Sequence, residues 1–156
     1  MVLSVAVQMD HISTISIAGD TSLTAGNFMD PISIGNYNLG NYGSLQPTVD
    51  HYNFAFQSVA VGTNWTPANL LDPAFADPSC QPGETPLACE IRVTNPVVII
   101  ISFAPSNVTG LPLANYQATM EQIVDVSLNS GVIPVLLTLP DDGFVDAGTL
   151  AQYNEA

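Results

Sequence analysis

The sequence contains no lysine and a single arginine, Arg92, against 14 Asp and Glu residues, which leaves a formal charge of −13. One cation cannot build the basic footprint that a phosphate backbone requires, so nucleic-acid binding is excluded as a main function. Attraction to anionic lipid headgroups is excluded on the same ground. Networks of ion pairs are excluded as the source of stability, because Arg92 can answer only one or two carboxylates. Only 10% of residues are charged at all, so solubility falls to Asp, Asn, Gln, Ser and Thr. Long apolar runs are also missing. The longest, around residues 96–101, is far short of the roughly 20 residues that cross a bilayer, and membrane insertion is not expected. Two cysteines cannot complete a zinc site, and no cofactor is expected.

What is present describes a single folded unit. The chain has 156 residues, of which 47% are hydrophobic, enough for one domain over residues 1–156 and too many for a disordered chain. Cys80 and Cys89 bracket a turn-rich stretch containing Pro82-Gly83, a loop that a disulfide could close. Such a bond implies an oxidising compartment, so an extracellular or secreted protein is expected. It would hold a Pro-rich excursion over residues 66–92 that has few apolar anchors, with Arg92 near Glu90 or another carboxylate. Asn64-Trp65-Thr66 and Asn107-Val108-Thr109 make Asn64 and Asn107 candidate glycosylation sites. The start, Met1 to Val7, lacks the basic flank and apolar length of a signal peptide. Residues 150–156 read as a helix in progress, so a C-terminally truncated domain is expected.

The periodicity alternates between strand and helix. Residues 5–7 and 12–18 are β-branched runs, the second ending at Gly19-Asp20. Residues 26–46 read as loop, residues 45–52 as one helix, and Ser58-Val59-Ala60-Val61 as a strand closed by Gly62. Residues 97–101 are continuously apolar, as in a parallel strand covered on both faces. A helix from Pro112 follows, with Tyr116, Met120, Ile123, Val124 and Leu128 at helical spacing and a stop at Gly131. Residues 132–137 form another buried strand, and Asp141-Asp142-Gly143 turns into a last helix. Strand, helix and strand with short links predict an α/β fold with a parallel sheet flanked by helices in three layers. Loops at the carboxyl ends of such strands build the functional site. Here those loops are Gly19-Asp20-Thr21, Gly62-Thr63-Asn64, Ala104-Pro105-Ser106-Asn107 and Thr138-Leu139-Pro140, and they are expected to converge.

Those four loops resemble the motif blocks of the SGNH/GDSL hydrolase family. Gly19-Asp20-Thr21-Ser22 sits where the family has its Gly-Asp-Ser nucleophile block, and Gly62 matches the glycine of the second block. The strand over residues 97–103 leads into a third block that is normally Gly-x-Asn-Asp. Residues 116–140, ending Pro134-Val135-Leu136-Leu137-Thr138-Leu139-Pro140, are similar to the helix and fourth strand. The Cys80 to Cys89 loop with Glu90 and Arg92 resembles a secreted bacterial branch. The resemblance implies a flavodoxin-like, SGNH-type sheet lacking its last strand, and ester hydrolysis by a serine, an oxyanion hole and an Asp-x-x-His block. Carried over by position, the nucleophile is Thr21, or Ser22 with a one-residue slip. Gly62 keeps its oxyanion-hole position, Ser106 replaces the asparagine of that hole, and Asn107 replaces the aspartate. The chain ends before an Asp-x-x-His block. A β-methyl at Thr21 crowds a strained turn. A lost oxyanion donor costs on the order of 10²–10³ in turnover. The two histidines, His11 and His51, lie before the first strand and near the first helix.

Other clusters have bland readings beside sharper ones. Asp141, Asp142 and Asp146 form an oxygen-rich loop that could hold calcium, although the spacing is not that of an EF-hand and a solvated turn with helix N-terminal acids accounts for it. Asp10-His11 could be an oriented base or a surface strand entry. Trp65 with Tyr37, Tyr42 and Tyr52 could stack a sugar, or pack in core and loops. The function expected is that of an extracellular, non-catalytic SGNH-like domain acting as a structural or self-assembling subunit, filaments included. Its partners would be copies of itself, since lysines that usually guard strand edges are absent and residues 2–7 could donate a strand. The alternatives are an esterase or lipase-like serine hydrolase using Thr21 or Ser22 with a base outside this chain, and a carbohydrate-binding module. Their ligands would be an ester or a glycan.

Overall fold

The computed structural model describes residues 13–23, 28, 30–54 and 57–156. The expected donor strand at residues 2–7 and the Asp10-His11 pair lie outside these. The strands are β1 (Thr14–Asp20), β2 (Asn53–Phe54), β3 (Val61–Gly62), β4 (Val98–Ser102) and β5 (Ile133–Leu136). All pair in parallel, in the order β2-β1-β4-β5, with β3 also paired to β1. The expected second strand is therefore split. Asn53 aligns with Thr14 at the start of β1, and Gly62 aligns with Asp20 at its end. Ser58 and Val59 do not extend β3, because the Ser58 hydroxyl accepts from Ala60 N and Val59 N donates to Glu90.

The helices follow their capping residues. Thr85 accepts from Ala88 N at the start of α3 (Pro86–Thr94), and Asn95, left-handed at φ 45°, ends it. Pro112 precedes α5 (Leu113–Asn129), which buries Tyr116, Met120, Ile123 and Ser127. Asp146 caps α6 (Ala147–Glu155) by accepting from Thr149 N. Three short helices complete the set: α1 (Asp30–Ser33), α2 (Gln46–His51) and α4 (Pro105–Val108). The stretch expected as loop over residues 26–46 thus holds α1 and a 3-10 helix at Gly40–Leu45.

Strand alternation assigns the faces of the sheet. Ala18, Ile99 and Ile101 point to one face and share a core with Leu87 of α3 and Tyr116, Met120 and Ile123 of α5. Ile17, Ile100 and Val135 share the other face through the sheet register. Ile17 is 5% exposed, but Val135 is 39% and Ile133 59% exposed. The expectation that residues 132–137 form a buried strand is corrected. β5 pairs with β4 alone among the described residues and so leaves one backbone edge open, and the face that carries Ile133 and Val135 is exposed as well.

The excursion over residues 66–92 is better anchored than expected. Leu70 and Leu87 are fully buried in the core, with Pro67 and Pro86 beside them. Asn69 Oδ1 accepts from Thr66 N at 2.7 Å to start one 3-10 turn, and Asp72 caps the next. Cys80 and Cys89 are joined by a disulfide with Cα atoms 5.5 Å apart, tying the loop to α3 and through it to β4. Arg92 pairs with Glu84, not Glu90, through two bonds of 2.7 and 2.8 Å. That hydrogen bonding pulls the Glu84 carboxyl down to about 2. Closing so small a ring stabilises the fold by about 2.5–3 kcal/mol in the chain-entropy model. Reduction, or a Cys80→Ser/Cys89→Ser variant, should lower the melting temperature by roughly 5–10 °C. Calorimetry with and without reductant checks this, and unchanged melting would contradict it.

Candidate functional site

The carboxyl end of β1 is built around one buried acid. Asp20 is 1% exposed. Its Oδ1 accepts from Ser22 N at 2.8 Å, and its Oδ2 accepts from Asn107 Nδ2 at 2.7 Å and from the backbone N of Ala104. A buried carboxylate needs such donors, and N–H groups supply them here in place of a cation. Gly19, just before it, has φ +139°, and a Cβ there would lie 1.9 Å from the Ser102 carbonyl oxygen. Only glycine lets β1 approach β4 this closely. Asp20 therefore locks the turn after β1 to the loop after β4.

That lock brings three of the four expected loops together. Thr21 opens a 3-10 turn over Thr21–Leu23, and Thr21 and Ser22 are exposed. Gly62 is aligned with Asp20 across the β1–β3 pair. Ser106 is exposed on α4, while Asn107 beside it is half-buried and turned to Asp20. An amide held in that bond is not presented for glycan attachment, whereas Asn64 is exposed in a left-handed turn at φ 57°. The fourth loop is fastened elsewhere. Leu139 N donates to Asn154 Oδ1 of α6 at 2.6 Å, and Asn154 Nδ2 donates back to Leu139 O at 3.2 Å.

Two side chains in this region, Trp65 and Glu90, have a structural role that the motif reading does not assign. Trp65 closes over Gly62: a Cβ on Gly62 would lie 2.0 Å from the indole Cε2. The ring packs edge-on against Phe75, with centroids 6.0 Å apart. Its ring contact is therefore with Phe75, while Tyr52 packs edge-on against His51. Glu90, also 1% exposed, accepts from the Ser16 hydroxyl of β1 and from Val59 N at 2.8 Å. It joins α3 to β1 and to the segment leading into β3. The Gly62-Thr63-Asn64-Trp65 turn was a visible signal for the first. Nothing local marks Glu90, an acid in an otherwise ordinary helical turn.

Among the described residues, no histidine stands in this cluster of loops. His51 is exposed at the end of α2, two residues before Asn53, which pairs with the opposite end of β1 from Thr21. At ~3.3 Å per strand residue, His51 lies at least roughly 15 Å from Thr21, well beyond a hydrogen bond of ~3 Å. The calcium reading of Asp141, Asp142 and Asp146 gains no support from the local bonding. Asp141 accepts from Gly143 N and Asp142 from Phe144 N, each at 2.9 Å, and Asp146 binds both N and Oγ1 of Thr149. The Thr149 hydroxyl holds the Asp146 carboxyl below its ordinary value. These are turn and cap acids. Among the described residues, the one group of three metal-ligating types is Cys80, Glu84 and Cys89. Its sulfurs form the disulfide and its carboxylate holds Arg92, so it offers a metal nothing.

No family model matches the sequence, and no curated protein matches it. Among solved structures the fold is similar to the psychrotrophic esterase EstA from Pseudoalteromonas sp., with a TM-score of 0.52 and 15% identity. The match covers 92% of this chain and 68% of that chain. At this identity the likeness shows the fold alone, an α/β fold with a parallel sheet of the SGNH type. Since Trp65 is the single tryptophan, its packing on Gly62 has a direct readout. Gly62→Ala should push the indole outward, shifting its emission to longer wavelength and raising its quenching by acrylamide. Unchanged emission would contradict this packing.

Proposed function

We propose that this chain is an extracellular, non-catalytic SGNH-hydrolase-like domain that acts through its surface as a structural or assembly subunit. The observation that carries this reading is the use made of the third loop. Asn107, which stands where the resembled family has the aspartate of its third block, and the Ala104 N–H are turned onto Asp20 as bracing donors. Ser106 offers a hydroxyl where the family has an amide. A hydroxyl nucleophile needs a base within hydrogen-bond reach, and the described loops around Thr21 contribute hydroxyls, an amide and a carboxylate already saturated by three donors. The disulfide supports the extracellular part of the reading, since such bonds persist in oxidising compartments.

The esterase reading keeps Thr21 or Ser22 as nucleophile, with a base from outside this chain. Hydrolysis of p-nitrophenyl butyrate by the wild type, Thr21→Ala and Ser22→Ala separates the two readings. Equal rates, at the level of buffer with an inert protein, are expected. A wild-type rate well above that level and lost in either variant would overturn the non-catalytic reading. Assembly through the surface has one feature in its favour, the open side of β5.

A further inference from the structure

A groove of about 300 Å³ lies between α5, the end of β5 and α6, on the far side of β4 from Asp20. Met120, Val124, Leu136 and Tyr153 form its apolar floor, and Glu121 and Asp125 stand beside them, four residues apart on α5. The walls are fixed. The Tyr153 hydroxyl donates to the Leu111 carbonyl, and the Tyr153 and Tyr116 rings pack with centroids 5.2 Å apart. Burial, with Tyr153 adding to it, raises the Tyr116 hydroxyl above its ordinary value, as expected for a dry floor. The floor continues outward at Leu136, which is 44% exposed.

The charge on the page limits what can occupy this groove. Glu121 and Asp125 are both exposed, and no ion pair answers them among the described residues. The chain has no lysine, and its one arginine is held by Glu84. A second copy, itself carrying −13, would bring acid against acid. The backbone limits the shape of the occupant as well. Ile133 N and Leu137 N donate inward to β4, so Pro134 and Leu136 face the open edge. Pro134 has no N–H to offer there, which blunts pairing with an added strand. A helix satisfies its own backbone and docks through side chains.

We infer that this groove binds a cationic amphipathic helix of another protein, its apolar stripe on the Met120–Leu136 floor and its Lys or Arg residues on Glu121 and Asp125. The inference rests on reading the domain as an assembly subunit, but its test measures binding and not hydrolysis, so the two fail separately. The probe is a fluorescein-labelled helical peptide of about 18 residues, with leucines at i, i+3, i+4 and i+7 and lysines elsewhere. Its anisotropy is followed at physiological salt. Binding should weaken by roughly tenfold with Leu136→Gln, and separately with Glu121→Gln/Asp125→Asn, while the distant pair Asp72→Asn/Asp77→Asn leaves it unchanged. These positions are exposed, so the variants keep the fold, and circular dichroism verifies that. No binding overturns the inference, as does equal weakening by the distant pair or equal affinity for a scrambled peptide of the same composition. Sedimentation of the chain alone as a dimer that Leu136→Gln dissolves would also overturn it, by naming a second copy as the occupant.

Discussion

A chain with 14 acids and one arginine must satisfy its buried carboxylates without cations, and the architecture follows from how it does so. Among the described residues, Asp20 and Glu90 are the two acidic side chains buried in the core. Each is saturated by neutral donors: backbone N–H groups, an amide for Asp20 and a hydroxyl for Glu90. Hydrogen bonds to an ionised acceptor are about twice as strong as neutral ones, so such donors can stand in for an ion pair. Leaving either acid without them would cost several kcal/mol. These two acids fasten β1 to the loop after β4, to α3 and to the segment before β3. β1 is thereby the hub of the sheet, and the loops at its carboxyl end are held in register.

The same solution explains why the site differs from what its motif resemblance implies. In a chain richer in cations, the donors around Asp20 could be released to face a ligand. Here Asn107 is a structural donor, and the turn at Thr21 is rigid because Asp20 also captures Ser22 N. Trp65 fills the space over Gly62, where a Cβ would collide with its ring. The result is a set of loops at the carboxyl end of a parallel sheet whose Asp20 and Asn107 brace the fold. The open surface lies elsewhere, along β5 and α5.

The fold was legible where periodicity is long and unambiguous. The continuous apolar run before Ser102, the helix from Pro112 to Gly131 and the Gly19-Asp20 strand end all matched their elements. So did the disulfide, because a turn-rich segment between two cysteines leaves little else for them to do. The failures have identifiable causes. The split of the second strand depends on Glu90 capturing Val59 N, a contact between residues 31 apart that leaves no local trace. The exposure of Ile133 and Val135 depends on what covers the sheet, which an apolar strand pattern cannot tell. Leu70 and Leu87, isolated among prolines, looked like loop residues until the 3-10 turns and α3 carried them to the core. Of the alternatives for Arg92, Glu90 or another carboxylate, the second holds: Arg92 pairs with Glu84, while Glu90 is bonded to Ser16 and Val59 N.

The central claim is that Asp20 and Asn107 form a structural brace between the first and third loops. A double-mutant cycle of Asp20→Ala and Asn107→Ala, read by denaturant unfolding, tests it most directly. The account predicts that each single change destabilises the fold and that the two couple by about 1.5–3 kcal/mol, the value expected for a hydrogen bond to a charged group. Additive losses, with coupling within about 0.3 kcal/mol of zero, would contradict it.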